Sequence, residues 1–372
     1  MTTRSIARSV GCSGHRRHKP DARPSRYAQS SNPNGSGYSG ASSASDGGLS
    51  SLVDLREALL PLRKLSDGYQ SLDDDLKAIL ESWFDVGLLH LERLTWESPA
   101  ALLEKLIEYE AVHAIESWDD LRGRLGQGRR CYSFIHPAMP GEPLIFVEVA
   151  LTLGIARELQ PLLDHSRDRV DAANADTAIF YSISNCHQGL AGCRSATFIK
   201  TVVEELKREL PNLTTFATLS PIPGFRSWLS HELEHRDPLL VSEHAVLSPE
   251  NPDDARTELA KLVTATATPT GPEFERAKPV LTRLVARYLL DERRGTRAAD
   301  PVANFHLSNG ARLEQINWLG NPGLSGWQRS LGFMVNYRYV PDQIEKNHFR
   351  YMSESVVAAT DAVSRLRTAP EA

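Results

Sequence analysis

The sequence predicts an α/β protein in which a short helical region precedes a domain built on a mixed β-sheet. Apolar residues recur at helical spacing between Leu52 and Phe84, which predicts two amphipathic helices. After this region, short runs of β-branched and aromatic residues alternate with helical patterns. We therefore divide the chain into a tail (1–48), a helical region (49–86) and a mixed-sheet domain (87–372).

The overall composition limits the classes of function. A chain of 372 residues is long enough for one large or two ordinary domains. The net charge of −5 creates no field that favours nucleic acid or an anionic membrane, and no apolar run approaches the roughly 20 residues of a membrane-spanning helix. The four cysteines (Cys12, Cys131, Cys186 and Cys193) are too few and too scattered for a disulfide scaffold, which indicates a reducing compartment.

The tail differs in composition from the rest of the chain. It is rich in arginine, serine and glycine and poor in apolar residues, so it cannot bury enough apolar surface to offset its ordering entropy, and we expect disorder. Its first part also has the composition of an organellar transit peptide, although a solvated tail or a misassigned start is the favoured interpretation. We therefore expect a cytoplasmic protein, or a mitochondrial matrix protein if the tail is a transit peptide.

Within the mixed-sheet domain, the predicted elements follow the order β-α-α-β-β-β-α-β-α-β-β. Strands are predicted at 88–96, 131–136, 144–151, 177–184 and 214–219. Helices are predicted from 99 to about 112, at 117–125, up to 210, at 228–235 and at 274–290. Two last strands are predicted around His306 and Tyr339, because both residues lie in apolar or aromatic runs.

The segment 176–228 is the most informative part of the chain. It predicts a strand, a glycine-containing turn, an amphipathic helix and a second strand, followed by the sequence Ser220-Pro221-Ile222-Pro223-Gly224. In open α/β sheets, ligands bind outside the carboxyl ends of the strands. The start of the helix and Ser220 should therefore lie at one ligand site.

Three segments together resemble the malonyl-CoA decarboxylase family. They are 176–228, the motif DPVANFHLSNGA at 300–311, and Asn-Tyr-Arg-Tyr at 336–339, and the resemblance extends from about Leu52 to Tyr339. The element order is similar to that of the GNAT (acetyltransferase-like) fold, which binds acyl-CoA. The resemblance thus implies a helical domain before a GNAT-like catalytic domain. The helical region is short for the family, which weakens the expectation of a homo-oligomer held together by it.

The activity implied by the resemblance is the conversion of malonyl-CoA and a proton into acetyl-CoA and CO2, a step of fatty-acid metabolism. Loss of CO2 leaves an enolate conjugated with the thioester carbonyl, so the substrate is its own electron sink and no metal or organic cofactor is expected. The protein must hold the enolate oxygen, position the carboxylate and deliver a proton. Backbone N–H groups at a helix start suit the first task, and one such donor contributes about 3 kcal/mol in a transition state.

The turn before the predicted helix and the helix start itself are the expected acyl-CoA contacts. Glycines in the turn permit close backbone approach, and free N–H groups suit a pyrophosphate, although such turns are commonly structural. The expected substrate-binding residues are Ala191, Gly192, Cys193, Arg194, Ser195, Ala196 and Thr197. Some relatives carry glutamate where this chain has Arg194, so an acid role at this position is absent here.

Three residues match catalytic positions of the family. Ser220 is expected to donate a hydrogen bond to the departing carboxylate, and Pro221 favours an extended backbone there. His306 is expected to deliver the proton, since imidazole titrates near neutral pH. Tyr339 is expected to contact and orient His306. Without the resemblance, the simplest interpretation is structural: Ser220 is a serine in a turn, His306 is a buried histidine of the core, and Tyr339 is an aromatic residue of a strand.

Two sequence patterns suggest a metal but lack the remaining ligands. His231-Glu232-Leu233-Glu234-His235 satisfies the H-E-x-x-H pattern of zinc peptidases. Pro238 stops the helix soon afterwards and no third ligand is indicated, so we interpret this segment as a solvated, charged helical face. Cys186, His187 and Cys193 fit no standard zinc spacing.

Two other functions remain open at this point. Ser220 and His306 could form the nucleophilic pair of an acyl-CoA thioesterase, although no G-x-S-x-G motif surrounds the serine. A non-catalytic acyl-CoA-binding regulator could keep the same fold, but the joint presence of Ser220, His306 and Tyr339 argues against it.

Overall fold

The computed structural model describes residues 47–110, 112–164, 169–192 and 198–367. The tail up to residue 46 therefore lies outside the described residues, as do five of the expected substrate contacts, at 193–197. Among the described residues, no helix is both long and apolar enough to cross a membrane.

The helical region consists of two helices, as predicted: α1 (Gly48–Leu59) and α2 (Asp67–Trp83). Ser66 begins α2 by accepting a hydrogen bond from the Tyr69 amide. The apolar face of this pair packs on the following domain, in a cluster of Leu49, Val53, Leu80, Phe84, Met139, Leu144 and Leu190. The predicted stripes thus form a packing face only in part, because other members of them are exposed: Leu55, Leu62, Leu72, Ile79 and Trp83.

The sheet is mixed, which confirms the predicted α/β class. Its strands are β1 (His90–Leu94), β2 (Arg129–Ile135), β3 (Pro143–Thr152), β4 (Thr177–Asn185), β5 (Thr215–Thr218), β6 (Ser220–Pro221), β9 (Arg312–Asn317) and β10 (Met334–Arg338), and a separate hairpin contains β7 (Arg293–Arg294) and β8 (Arg297–Ala298). The order in the sheet is β1-β2-β3-β4-β5-β10-β6, with β9 also paired to β10. Only β4 and β5 pair in parallel among these described strands.

The remaining helices cover the sheet and flank its ends. They are α3 (Ala100–Tyr109), α4 (Trp118–Leu125), α5 (Gln160–Leu163), α6 (Phe198–Glu209), α7 (Phe225–His235), α8 (Val241–Leu247), α9 (Ala255–Thr264), α10 (Pro272–Leu290), α11 (Pro301–Ser308), α12 (Leu324–Ser330), α13 (Ile344–Glu354) and α14 (Asp361–Leu366). Helix α6 buries Ile199, Val202, Val203 and Leu206 in the main core, at the i, i+3, i+4, i+7 spacing of an amphipathic helix.

The parallel strands β4 and β5 separate partway along their length. They pair from Thr177 opposite Thr215 to Phe180 opposite Thr218, and the Leu219 amide donates one further bond to the Phe180 carbonyl. Beyond that point β4 runs on to Asn185, whereas β6 continues along β10. The divergence opens a cavity between the two strands.

The predicted strand around His306 is wrong, because His306 lies in α11. Asp300 caps this helix: its carboxylate accepts from the Val302 and Ala303 amides, and Pro301 occupies the first turn. The run around His306 is as apolar as a buried strand, but Asp300 and Pro301 form the start signal of a helix. The predicted strand near Tyr339 is confirmed as β10, which ends one residue before it.

Candidate active site

Ser220 is fixed within the sheet. It begins β6, lies opposite Val335 of β10 and is 5% exposed. Its hydroxyl donates to Thr218 Oγ1 at 2.8 Å, and its Oγ lies 3.1 Å from His306 Nε2. Thr218 Oγ1 also accepts from the Tyr337 amide at 3.1 Å. Main-chain pairing and side-chain bonds therefore both hold the serine beside the imidazole.

His306 is enclosed on several sides. Its Nδ1 lies 2.8 Å from the Tyr339 hydroxyl, and its ring stacks on that of Tyr337 with centroids 4.6 Å apart. Burial lowers the pKa of His306 to about 3, so the imidazole is neutral near pH 7. The lost hydration of the ring is replaced by a tyrosine face and two hydroxyl groups.

The hydrogen-bond directions around His306 form one consistent chain. Because Ser220 donates to Thr218, its oxygen is free to accept from His306 Nε2–H, and Nδ1 then accepts from the Tyr339 hydroxyl. This arrangement places the imidazole proton on Nε2. Burial raises the pKa of Tyr339 well above its usual range, so its hydroxyl keeps its proton.

Asp300 ties the start of α11 to the loop that follows Ser220. Besides capping the helix, its Oδ2 accepts from the Gly224 amide at 3.2 Å. A side chain at Gly224 would meet the Tyr288 hydroxyl at 2.1 Å, so only glycine fits there. One carboxylate thus fixes the positions of the segments that carry Ser220 and His306.

The cavity opened by β4 and β5 has a volume of about 720 Å3 and includes Ser220 and His306 in its wall. Such a volume is typical of small-molecule and cofactor sites. Much of the wall is apolar, and Phe180, Leu190 and Phe198 contribute to it. Lys77 of α2 also lines the cavity, so the helical region forms part of this site.

The predicted site residues fall into three groups. Ser220 and Tyr339 both contact His306, and of these two contacts the sequence analysis expected the one with Tyr339. Gly192 lines the cavity, whereas the carbonyl of Ala191 accepts from Arg56. Cys193, Arg194, Ser195, Ala196 and Thr197 lie outside the described residues.

Four residues of the site were not predicted: Thr218, Tyr337, Arg56 and Lys77. The first two contact Ser220 and His306, the third binds carbonyl groups of the glycine turn, and the fourth lines the cavity. Thr218 and Ser220 are two residues apart in an extended segment, so their side chains lie on the same face, and this spacing is visible in the sequence. Tyr337 lies in the quoted motif at 336–339 but had no assigned role. The two residues of the helical region carry no comparable local signal.

The interpretation of 231–235 as a solvated face is partly wrong. His231 and His235 are exposed on α7, but Glu232 is buried and pairs with Arg287 at 3.1 Å. Arg287 also lies over the Trp228 ring, so the glutamate packs against an arginine and aromatic neighbours. Within the described residues, no three His, Cys, Asp or Glu side chains are grouped to hold a metal ion.

Two family models match this chain. The model of the malonyl-CoA decarboxylase C-terminal domain matches residues 87–372, and that of the N-terminal domain matches residues 43–84. The chain is similar to the mitochondrial malonyl-CoA decarboxylase of Anser anser anser, with 40% identity over 333 residues, 86% of this chain and 66% of the goose protein. The Mus musculus protein of the same name is 40% identical over 341 residues, 86% of this chain and 68% of the mouse protein.

Solved structures of similar proteins also match. The crystal structure of malonyl-CoA decarboxylase from Rhodopseudomonas palustris has a TM-score of 0.77 and 44% identity, covering 86% of this chain and 76% of that one. The enzyme from Agrobacterium vitis has a TM-score of 0.74 and 42% identity, covering 87% and 77%. The chain thus spans about two thirds of the length of these animal relatives and about three quarters of the bacterial ones.

Proposed function

Because the chain belongs to the malonyl-CoA decarboxylase family, we propose that it converts malonyl-CoA and a proton into acetyl-CoA and CO2. The contact of Ser220 with His306 at the wall of the cavity carries this proposal. We assign catalysis to the mixed-sheet domain (87–372), preceded by a helical domain (49–86) and the tail (1–48).

Ser220 positions the carboxylate that leaves. In the free protein the Ser220 hydroxyl donates to Thr218. When the substrate enters, this hydroxyl can rotate and donate to a carboxylate oxygen instead. The carboxylate becomes neutral CO2 as its charge moves onto the thioester oxygen. An apolar wall favours that step, since it solvates the spread charge of the transition state better than the localised carboxylate.

His306 delivers the proton to the α-carbon. The imidazole is neutral in the free protein, but a bound carboxylate and then the enolate are opposite charges that raise the pKa of His306. The imidazolium can donate from Nε2, while Nδ1–H donates to the Tyr339 oxygen. A tyrosine hydroxyl serves both states of the ring, because it can donate to Nδ1 or accept from it.

In this proposal, residues 191–197, which precede α6 in the chain, hold the thioester oxygen and the CoA phosphates. Gly192 lines the cavity and has φ of +74°, a conformation that favours glycine. Lys77 approaches the same glycine: a side chain there would lie 3.9 Å from Lys77 Nζ. The positive charge of Lys77 at this point complements the negative charge of the CoA phosphates.

Acyl-CoA hydrolysis is the second candidate, because a serine oxygen 3.1 Å from an imidazole nitrogen also suits nucleophilic catalysis. In hydrolytic triads, a carboxylate stabilises the imidazolium that forms when serine attacks. Here Nδ1 faces the neutral hydroxyl of Tyr339, which favours decarboxylation. A non-catalytic regulator is disfavoured, because such a protein has no need for the hydrogen-bonded contacts of Ser220, His306 and Tyr339.

The test is an assay of the purified chain with malonyl-CoA, in which acetyl-CoA, CO2 and free CoA are followed by mass spectrometry. We expect acetyl-CoA and CO2 in equal amounts, unchanged by a chelator. His306→Ala should lower kcat by about 10²–10⁴, the usual contribution of general acid catalysis, and Ser220→Ala should also slow turnover. Free CoA together with an acyl group on Ser220 would instead establish the hydrolase.

Cellular location and assembly are separate parts of the proposal. We place the protein in the cytoplasm, or in the mitochondrial matrix if residues 1–48 act as a transit peptide. Fusing these residues to a fluorescent reporter distinguishes the two locations. A homo-oligomer is tested by sedimentation of the full chain, and a monomeric mass would exclude it.

A further inference from the structure

The turn beside the cavity is packed directly against helix α1. It contains a 3-10 turn at Gln188–Leu190, followed by Ala191 and Gly192. A side chain at Gly189 would meet the Val53 carbonyl oxygen at 2.1 Å, so glycine is needed for this close approach. The helical region therefore contacts the main chain of the segment that carries the expected acyl-CoA contacts.

Arg56 of α1 connects to this turn through hydrogen bonds. Its Nη1 donates to the Gly189 carbonyl at 2.5 Å and to the Ala191 carbonyl at 2.9 Å. The Arg56 residue is 1% exposed, and Asp73 of α2 accepts from its Nε at 2.9 Å. The arginine is thus held by one helix of the pair while it binds two carbonyl groups of the turn.

These contacts determine where two carbonyl groups of the turn point. Leu190 and Gly192 line the cavity, whereas the carbonyl oxygens on either side of Leu190 converge on the guanidinium. A carbonyl oxygen turned toward the cavity would repel a phosphate, a carboxylate or an enolate oxygen. Charge-assisted bonds to Arg56 oppose such a rotation and keep both carbonyl oxygens on the guanidinium, while the Leu190 and Ala191 amides donate to carbonyl groups within the turn.

We propose that Arg56 is a positioning residue for the acyl-CoA site, and that the helical region shapes this site by holding the turn at 189–192. The proposal rests on the proposed function, in which this turn binds the acyl-CoA. Arginine is required because its planar fork reaches two carbonyl groups and a carboxylate at once. Lysine could keep the charge beside Asp73 but could not keep this set of bonds.

The test compares Arg56→Lys with wild type by calorimetric titration of acetyl-CoA, by thermal unfolding and by the KM for malonyl-CoA. We expect the Kd for acetyl-CoA and the KM to rise roughly ten-fold or more, because small displacements of a positioning group weaken binding strongly. If Arg56→Lys fails to fold, the double variant Arg56→Gln with Asp73→Asn removes both buried charges and is used instead.

Arg283→Lys is the matched control. Arg283 is buried, pairs with Glu243 at 2.5 Å and donates to the Pro238 carbonyl at 2.9 Å, so it has the same kinds of partners away from the cavity. We expect it to lower the unfolding midpoint while its Kd for acetyl-CoA stays within two-fold of wild type. An unchanged Kd in the folded Arg56 variants would overturn the inference even in an active decarboxylase. If the wild-type chain shows no turnover and Arg56→Lys still weakens the binding of acetyl-CoA, the inference is upheld and the proposed function is overturned.

Discussion

At the scale of single residues, His306 shows how uncharged neighbours determine the protonation state of a titratable group. The ring contacts two hydroxyl groups and a tyrosine face, and burial lowers its pKa to about 3. The sequence could predict the contact with Tyr339 through a family resemblance. It could not predict the neutral state, because burial depends on residues such as Tyr337 that approach from another element.

This state predicts a specific dependence of stability on pH. The unfolded chain binds a proton at His306 below its usual pKa of about 6.5, whereas the folded protein does so only near 3. The contribution of the neutral ring is therefore fully present above pH 6.5 and is lost as pH falls toward 3, by up to about 1.4 kcal/mol per pH unit.

We expect His306→Gln to flatten the plot of unfolding free energy against pH between 6.5 and 3, measured by denaturant titration. The half-buried His113, whose pKa is lowered to about 4, titrates in both proteins and cancels in the difference. Parallel curves for the two proteins over this range would show that His306 is already charged in the folded state.

At the scale of elements, the strand before Ser220 was predicted, whereas the helix that carries His306 was missed. The strand predicted at 214–219 is confirmed as β5, and the short β6 that begins at Ser220 was not predicted. The segment 301–308 is short and apolar, and periodicity alone does not separate a buried helix from a strand at that length. The decisive signal was local chemistry, the cap of Asp300 followed by Pro301.

Removal of this cap should affect both stability and turnover. Asp300→Ala removes acceptors for the Val302, Ala303 and Gly224 amides, so we expect a loss of about 1–2 kcal/mol in unfolding free energy. We also expect a lower kcat, since His306 and Ser220 lose their shared anchor. Both are measured on the same preparation, by denaturant unfolding and by the malonyl-CoA assay.

Asp171→Ala is the control for this variant. Asp171 caps the 3-10 turn Ala172–Asn174 through the Ala173 amide and does not line the cavity. Its loss should reduce stability and leave kcat unchanged. An Asp300→Ala protein that is destabilised but fully active would show that the cap has no part in placing His306.

At the scale of the whole molecule, the order of helices and strands depends on local sequence patterns, whereas the cavity depends on contacts between distant parts of the chain. Helical and strand periodicity in short windows predicted the mixed-sheet class. The cavity depends on where two strands stop pairing, and the contact of Arg56 with Gly189 joins residues 133 positions apart. A single sequence contains no local pattern for such a contact, so the contribution of the helical region to the site could not be predicted.

The tail is predicted to contribute little to this body. Deleting residues 1–46 should leave the thermal midpoint and kcat nearly unchanged, because a segment so poor in apolar residues has few contacts to lose. The matched deletion of residues 1–62 also removes α1 with Val53 and Arg56, and it should lower the midpoint sharply. A comparable loss of stability in the shorter deletion would show that the tail packs on the domain.

The pairing of β10 with both β5 and β6 has a consequence for how the catalytic group can move. Ala217 lies opposite Arg338 and Ser220 opposite Val335, so one uninterrupted register carries the serine, and a bond from the Asn336 side chain to the Thr218 carbonyl reinforces it. The serine cannot shift without shearing the sheet. Any change in the spacing between Ser220 and His306 would therefore require a shift of α11, and the bond from the Gly224 amide to Asp300 at the start of that helix opposes such a shift.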